Sequence, residues 1–197
     1  MGKRQTDIGA VFFADGLNGL SPSLAKIPCP CEDRTFCGDL NIRIKSDGTW
    51  LYNDSPIERP EMVQFFAAML KLDEDGRHWL ISPTEVGRIE VDDAPFVITD
   101  VHVSGEDEKQ ILCLSTNVGD VVCVDKDTPI TLTESPETGQ LTPYVTIGDG
   151  LQAKINRAVY YELVEQGTTF EVENEPMFGL WSSGTFFPLS SIDTSDA

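Results

Sequence analysis

Hydrophobic spacing divides the chain into many short β-like runs and two helix-like segments. Ile42 and Ile44 precede Asp47-Gly48, and Trp50 and Tyr52 follow it. Asp-Gly tolerates the positive φ of a tight hairpin turn, so the first pair is expected to lie across from the second. Arg59 precedes a proline and is biased away from helical angles, whereas Pro60 suits a first helical position. A helix is therefore predicted from Pro60, with Met62, Phe65, Phe66, Met69 and Leu70 on its apolar face and Glu61 near its positive end. His78-Trp79-Leu80-Ile81 reads as a returning strand stopped by Pro83.

From Glu85 onward, short β-rich runs recur at sandwich- or barrel-like spacing. Strands are predicted near 88–91, 96–103, 110–115, 121–124, 130–133 and 144–147. A helix follows over 151–166, capped by Gly167, and then strands at 170–172, 177–181 and 186–189. This gives an α+β chain of two small domains, 1–84 and 85–197, the second a β-rich, partly open barrel with one helix. Residues 1–20 show no clear period, and Ser21 to Ala25 could open a short helix ended by Pro28 and Pro30.

A shift of 98 positions lays Arg157 on Arg59, Ile155 on Ile57, and Tyr160, Tyr161, Leu163 and Val164 on Met62, Val63, Phe65 and Phe66. Each segment follows a strand and a turn, and each precedes a tryptophan-bearing strand, with Trp79 in one and Trp181 in the other. A duplicated strand-turn-helix-strand motif is the expectation, although any two amphipathic helices agree partly by period.

Composition narrows the function classes. The 197 residues carry a net charge of −19, and residues 101–197 hold four basic against sixteen acidic groups. Such a field disfavours nucleic acid and anionic membrane surfaces as partners. No apolar run is long enough to span a bilayer, and no secretory signal pattern opens the chain, so a cytoplasmic protein is expected. Of five cysteines, Cys113 and Cys123 lie in apolar runs and read as buried thiols. Cys29, Cys31 and Cys37 lack a fourth ligand at metal spacing, so no metal or cofactor is expected.

Catalytic chemistry is sparse. His78 and His102 both lie in strand-like runs without a nucleophile motif, and no phosphate-cradling glycine loop is present, so no catalytic residues are assigned. Arg59 and Arg157 are the sharpest binding candidates, because a guanidinium holds phosphate or carboxylate bidentately. The competing reading makes them buried ion-pair partners of Glu58, Asp92, Asp93 or Glu85. Trp50 and Tyr52 could stack on a ring or fill the core. Asp92 and Asp93, with Ala94-Pro95-Phe96, offer carboxylates but look like a turn, and Thr116 and Asn117 suit either a ligand anchor or a strand-end turn. Lys154 lies near Arg157 and adds positive charge at a helix entrance.

Several segments together resemble an uncharacterised bacterial family, domain of unknown function 1285. They are Cys37-Gly38, the runs from Asp47 to Trp50 and from Pro56 to Arg59, Ser82-Pro83-Thr84-Glu85, the run from Val91 to Phe96, that from Thr116 to Asp120, and that from Leu151 to Arg157. The resemblance implies a two-domain α+β fold with a duplicated motif and a C-terminal part similar to pleckstrin-homology domains. It also implies a cytosolic, signalling role with a nucleotide-like ligand at the domain interface. The expected function is a ligand-binding or regulatory protein for a small anionic ligand, with Arg59, Arg157, Trp50, Tyr52 and 92–96 at one site. The alternatives are a small hydrolase or transferase acting on a phosphorylated metabolite, and a protein-interaction domain.

Overall fold

A computed structural model describes residues 34–134 and 139–192, and the expectations for residues 1–33, including Cys29 and Cys31, lie outside them. The chain forms two compact units, Met1–Pro95 and Phe96–Ala197.

The described part of the first unit runs β1 (Thr35–Ile44), β2 (Trp50–Tyr52), β3 (Ser55–Pro56), α1 (Pro60–Ala67), β4 (Leu70–Leu72), β5 (His78–Ile81) and β6 (Glu85–Val91). One sheet takes the order β3-β2-β1-β6-β5-β4, with β1 and β6 parallel and every other pair antiparallel. Because β6 pairs with both β1 and β5, the division falls after Pro95 rather than at the expected 84/85.

The first hairpin has the expected register, Ile42 opposite Tyr52 and Ile44 opposite Trp50. Its connection is longer than a two-residue turn: Lys45 N donates to Thr49 O, Gly48 has φ 82°, and Asp47 Oδ1 accepts from Thr49 N. The turn with two successive left-handed residues lies instead at Asn53 (φ 47°) and Asp54 (φ 60°), between β2 and β3. Asn and Asp tolerate that region better than other side chains, which explains their use here.

α1 begins at Pro60 as expected but stops at Ala67, before Met69 and Leu70. Tertiary pairing ends it: Ile81 N donates to Met69 O, and Leu70 becomes the first residue of β4 opposite Leu80. Phe66 is buried and stacks on Trp50 with centroids 6.3 Å apart, while Phe65, one residue round the helix, is exposed.

The second unit contains β7 (Phe96–Ser104), β8 (Ile111–Thr116), β9 (Val121–Cys123), β10 (Ile130–Glu134), β11 (Leu141–Thr146), β12 (Gln152–Ile155), α2 (Arg157–Glu165), β13 (Thr168–Val172), β14 (Glu175–Ser182) and β15 (Thr185–Ser191). A six-stranded sheet has the order β10-β11-β12-β7-β8-β9, with β12 and β7 parallel, and a three-stranded antiparallel sheet has the order β13-β14-β15. These are open sheets and not the expected partly open barrel. The predicted helix over 151–166 is also corrected. Gln152–Ile155 is a strand whose Ala153 and Ile155 are buried in alternation, held by β11 on one side and β7 on the other. The helix starts only after Asn156, whose side chain caps it by accepting from Val159 N.

α2 packs Val159 and Leu163 into the core, against β7 and β14. Ser182 joins the two sheets of this unit, accepting from Leu112 N at 3.0 Å and donating to Val124 O at 2.6 Å. Cys113 and Cys123 are not buried thiols as expected. Direct neighbours on β8 and β9, they form a disulfide. Among the described residues no helix is long and apolar enough to cross a membrane.

Candidate functional site

A cleft rich in polar groups lies in the first unit. It measures about 410 Å³ and is lined by Asp39, Leu40, Asn41, Ile42, Arg43, Asn53, Asp54, Arg88, Ile89 and Glu90. Register explains why the sheet opens here. Asp39 pairs with Arg88 and Arg43 with Glu90, so four residues of β1 advance against two of β6, and an irregularity separates the pairs. The residues of β1 between those pairs, Leu40, Asn41 and Ile42, line the cleft, as bulged segments do when they re-aim side chains. The left-handed turn Asn53-Asp54 forms the rim and is fixed by Asn53 N donating to Asn41 O at 2.8 Å.

Both arginines are held by carboxylates. Arg88 donates from Nε and Nη2 to the two oxygens of Asp39 at 2.6 and 2.8 Å, and Arg43 donates from Nε to Asp92 Oδ1 at 2.6 Å. Each bond fixes one edge of a planar guanidinium that still has N–H groups to offer. Among the described residues no hydrogen bond engages Nη1 or Nη2 of Arg43, or Nη1 of Arg88. The hydrogen bond to Asp92 and that carboxylate's charge, followed by Glu90 and Asp54, raise the pKa of Arg43 above its ordinary value against a smaller desolvation effect. For Arg88, the bond to Asp39 and its charge act first and Glu90 last, with the same result. Glu90 thus acts on both cations.

The sequence-derived candidates are dispersed. Trp50 is core, and among the described residues its buried indole N–H has no hydrogen-bond partner. Tyr52 is half-buried on β2 and precedes the rim turn. Arg59 is the exposed cap residue of α1, and Arg157 is the exposed first residue of α2, donating from Nε to Tyr161 Oη at 2.9 Å. Both therefore stand at helix entrances, one position out of step, and neither forms an ion pair with a described residue. Asp92 reaches the cleft through Arg43, whereas Asp93 is exposed just beyond it in sequence.

In the second unit, Phe96 is buried at the start of β7. Thr116 is buried, its Oγ1 accepting from Asp120 N at 3.0 Å. Asn117 accepts from Val97 N through Oδ1 at 3.0 Å, and Lys154 pairs with that same Val97 across the parallel ladder. Thr116 and Asn117 thus serve the strand-end turn. Because Arg157 is exposed, Arg157→Ala is expected to cost about 1 kcal/mol or less of apo stability. A large loss in a thermal melt would restore the buried ion-pair reading.

Other reactive groups are quiet. Burial lowers the pKa of His78 against an opposing pull from Asp73, favouring the neutral ring. His102 is exposed on β7. Burial, then Glu85, raises the pKa of the free thiol Cys37, which disfavours the nucleophilic thiolate. Arg43 and Arg88 were missed in the sequence because they sit singly on strands 45 residues apart in numbering, and only the β1–β6 register brings them to one cleft.

Family comparison covers both units. Residues 30–94 match the N-terminal domain model of the DUF1285 family, described as a domain of unknown function, and residues 95–189 match its C-terminal domain model, described as a protein of unknown function. The chain belongs to the DUF1285 family. Among solved structures it is similar to a DUF1285 family protein from Silicibacter pomeroyi DSS-3, with 42% identity, TM-score 0.74, and 87% of this chain and 92% of that one covered. It is also similar to a DUF1285 family protein from Shewanella baltica OS155, with 26% identity, TM-score 0.52, and coverage of 64% and 92%. No curated protein matches the chain.

Proposed function

We propose that this DUF1285 protein is a cytoplasmic ligand-binding or regulatory protein, of the kind used in signal transduction, and that the cleft of its first unit takes a small ligand bearing an oxyanion. The observation that carries the reading is the pair Arg43 and Arg88. Each is oriented by a carboxylate on one edge, each keeps further N–H donors, and both line one concave surface. A phosphate or carboxylate, nucleotide-like or simpler, is what such donors recognise.

Titration calorimetry and thermal shift with inorganic phosphate, small carboxylates, amino acids and nucleotides test it. At least one compound should bind, and Arg43→Ala should weaken that binding about tenfold or more by removing a charge-assisted donor pair. The apo melting temperature should move only slightly, since exposed ion pairs contribute little. A ligand recovered unchanged supports a sensor, turnover identifies the hydrolase or transferase alternative, and silence across the panel favours an interaction domain.

The same proposal includes a duplicated element. Its support is that β1-β2-β3, α1, β4-β5-β6 and β10-β11-β12, α2, β13-β14-β15 share one order, two antiparallel three-strand runs around a helix. Leu80 lies in one middle strand with Ser82 just past its end, and Leu180 and Ser182 lie in the other, all four buried. The pleckstrin-homology likeness of the second unit belongs to this reading too. Superposing 35–91 on 130–191 tests the duplication, and strands falling out of order would overturn it.

A further inference from the structure

We infer that the ligand of this cleft is a compact zwitterion, a molecule with one carboxylate or phosphate group and one ammonium group, such as a free amino acid. The inference rests on the cleft being the ligand site. It starts from how charge is divided over the sheet. The register sets Asp39 beside Arg88 and Arg43 beside Glu90, which makes a checkerboard of alternating sign on two adjacent parallel strands. Asp39 is engaged by Arg88, and Asp92, just outside the lining, is engaged by Arg43. The carboxylates of Asp54 and Glu90 remain in the lining, and among the described residues no hydrogen bond reaches either of them.

The lining therefore holds two cations against three anions, before Asp92 is added. A polyanion such as a nucleotide di- or triphosphate would face this local excess as well as the −19 of the whole chain. A single oxyanion is different. It can take the uncommitted N–H groups of the arginines, provided that a positive group on the same molecule answers Asp54 and Glu90. An ammonium does so with three donors, matching acceptors that have none. Asn41 and Asn53, whose amides both donate and accept, line the same space and suit the polar body of such a molecule. A volume of about 410 Å³ lies in the small-molecule range and accommodates an amino acid with its side chain.

The test is titration calorimetry on the full chain with the free amino acids, inorganic phosphate and adenosine monophosphate as probes. At least one amino acid should bind with a Kd below about 1 mM, the regime of a few directed polar contacts. Arg43→Ala and, separately, Glu90→Gln should each weaken it about tenfold or more, one by removing the oxyanion's partner and the other the ammonium's. N-acetylation of that same amino acid should abolish binding, because it removes the cation and leaves the carboxylate. If phosphate or adenosine monophosphate binds instead, with loss on Arg43→Ala and no loss on Glu90→Gln, the oxyanion site stands and the zwitterion assignment is wrong. If Arg43→Ala changes the binding of no probe, or no probe binds, the zwitterion assignment falls, and the oxyanion reading of the cleft falls with it when the small carboxylates and other nucleotides are silent too.

Discussion

Trp50→Ala is expected to destabilise the protein by about 3–5 kcal/mol, the range for truncating a large buried aromatic. Trp50 is 2% exposed on β2 and lies stacked on Phe66, itself 2% exposed, which is the residue α1 drives into the core. Removing the indole leaves Phe66 without its facing ring and opens a cavity between helix and sheet, where Ile42 and Ile44 can close in only partly. Trp50→Phe should cost much less. It keeps an aromatic ring and removes a buried N–H that has no hydrogen-bond partner among the described residues. Urea denaturation followed by circular dichroism measures both variants. A loss below about 1 kcal/mol for Trp50→Ala would mean that this ring is not part of the core and would reopen its reading as a stacking surface for ligand.

Ser182→Ala carries the second large effect, about 1–3 kcal/mol, from a change of one oxygen atom. The Ser182 hydroxyl is fully buried at the end of β14, where it accepts from Leu112 N of β8 and donates to Val124 O just past β9. Val124 O retains a second donor in Ser183 Oγ at 3.0 Å, so the group left without a partner is the Leu112 amide. A buried amide without an acceptor costs more than an average hydrogen bond contributes, and no apolar substitute relieves it. Gln110 reinforces the same seam: its Nε2 donates to Trp181 O at 2.9 Å, and its backbone carbonyl accepts from Ser183 N. Hydrogen exchange at Leu112 should accelerate in the variant beyond the change at neighbouring amides of β8. Unaltered exchange there, with unaltered stability, would show that the hydroxyl does not tie the two sheets.

The candidate site was legible only at its margins. Asp92 and Tyr52 were singled out in the sequence, and the first touches the cleft through Arg43 while the second abuts its rim turn. The arginines chosen, Arg59 and Arg157, owed their prominence to a helix-start pattern, which is a local signal. Arg43 and Arg88 gave no local signal at all, because a strand residue's partner is set by register with a strand far off in sequence. That register contains an irregularity on β1 that hydrophobic alternation does not encode, and the irregularity is what makes a concave surface from a sheet.

Local chemistry determined the features that depend on a few adjacent residues. The hairpin register of Ile42 and Ile44 with Tyr52 and Trp50 follows from alternation about a turn, and the start of α1 follows from the fixed φ of Pro60. The strand near 96–103 and the C-terminal strands likewise follow from period and β-propensity. Tertiary structure decided where those signals were ambiguous or silent. Met69 and Leu70 fit a helical face, yet β5 captures the Met69 carbonyl, because a strand partner satisfies the backbone there as fully as another helical turn would. Gln152–Ile155 joined a helix-like run in the sequence and is a strand in the fold, since β11 and β7 offer it ladders on both sides. Cys113 and Cys123 read as separate thiols until the pairing of β8 with β9 set them face to face. In each case local preference was weak by comparison with the burial and hydrogen bonding that a distant strand supplied.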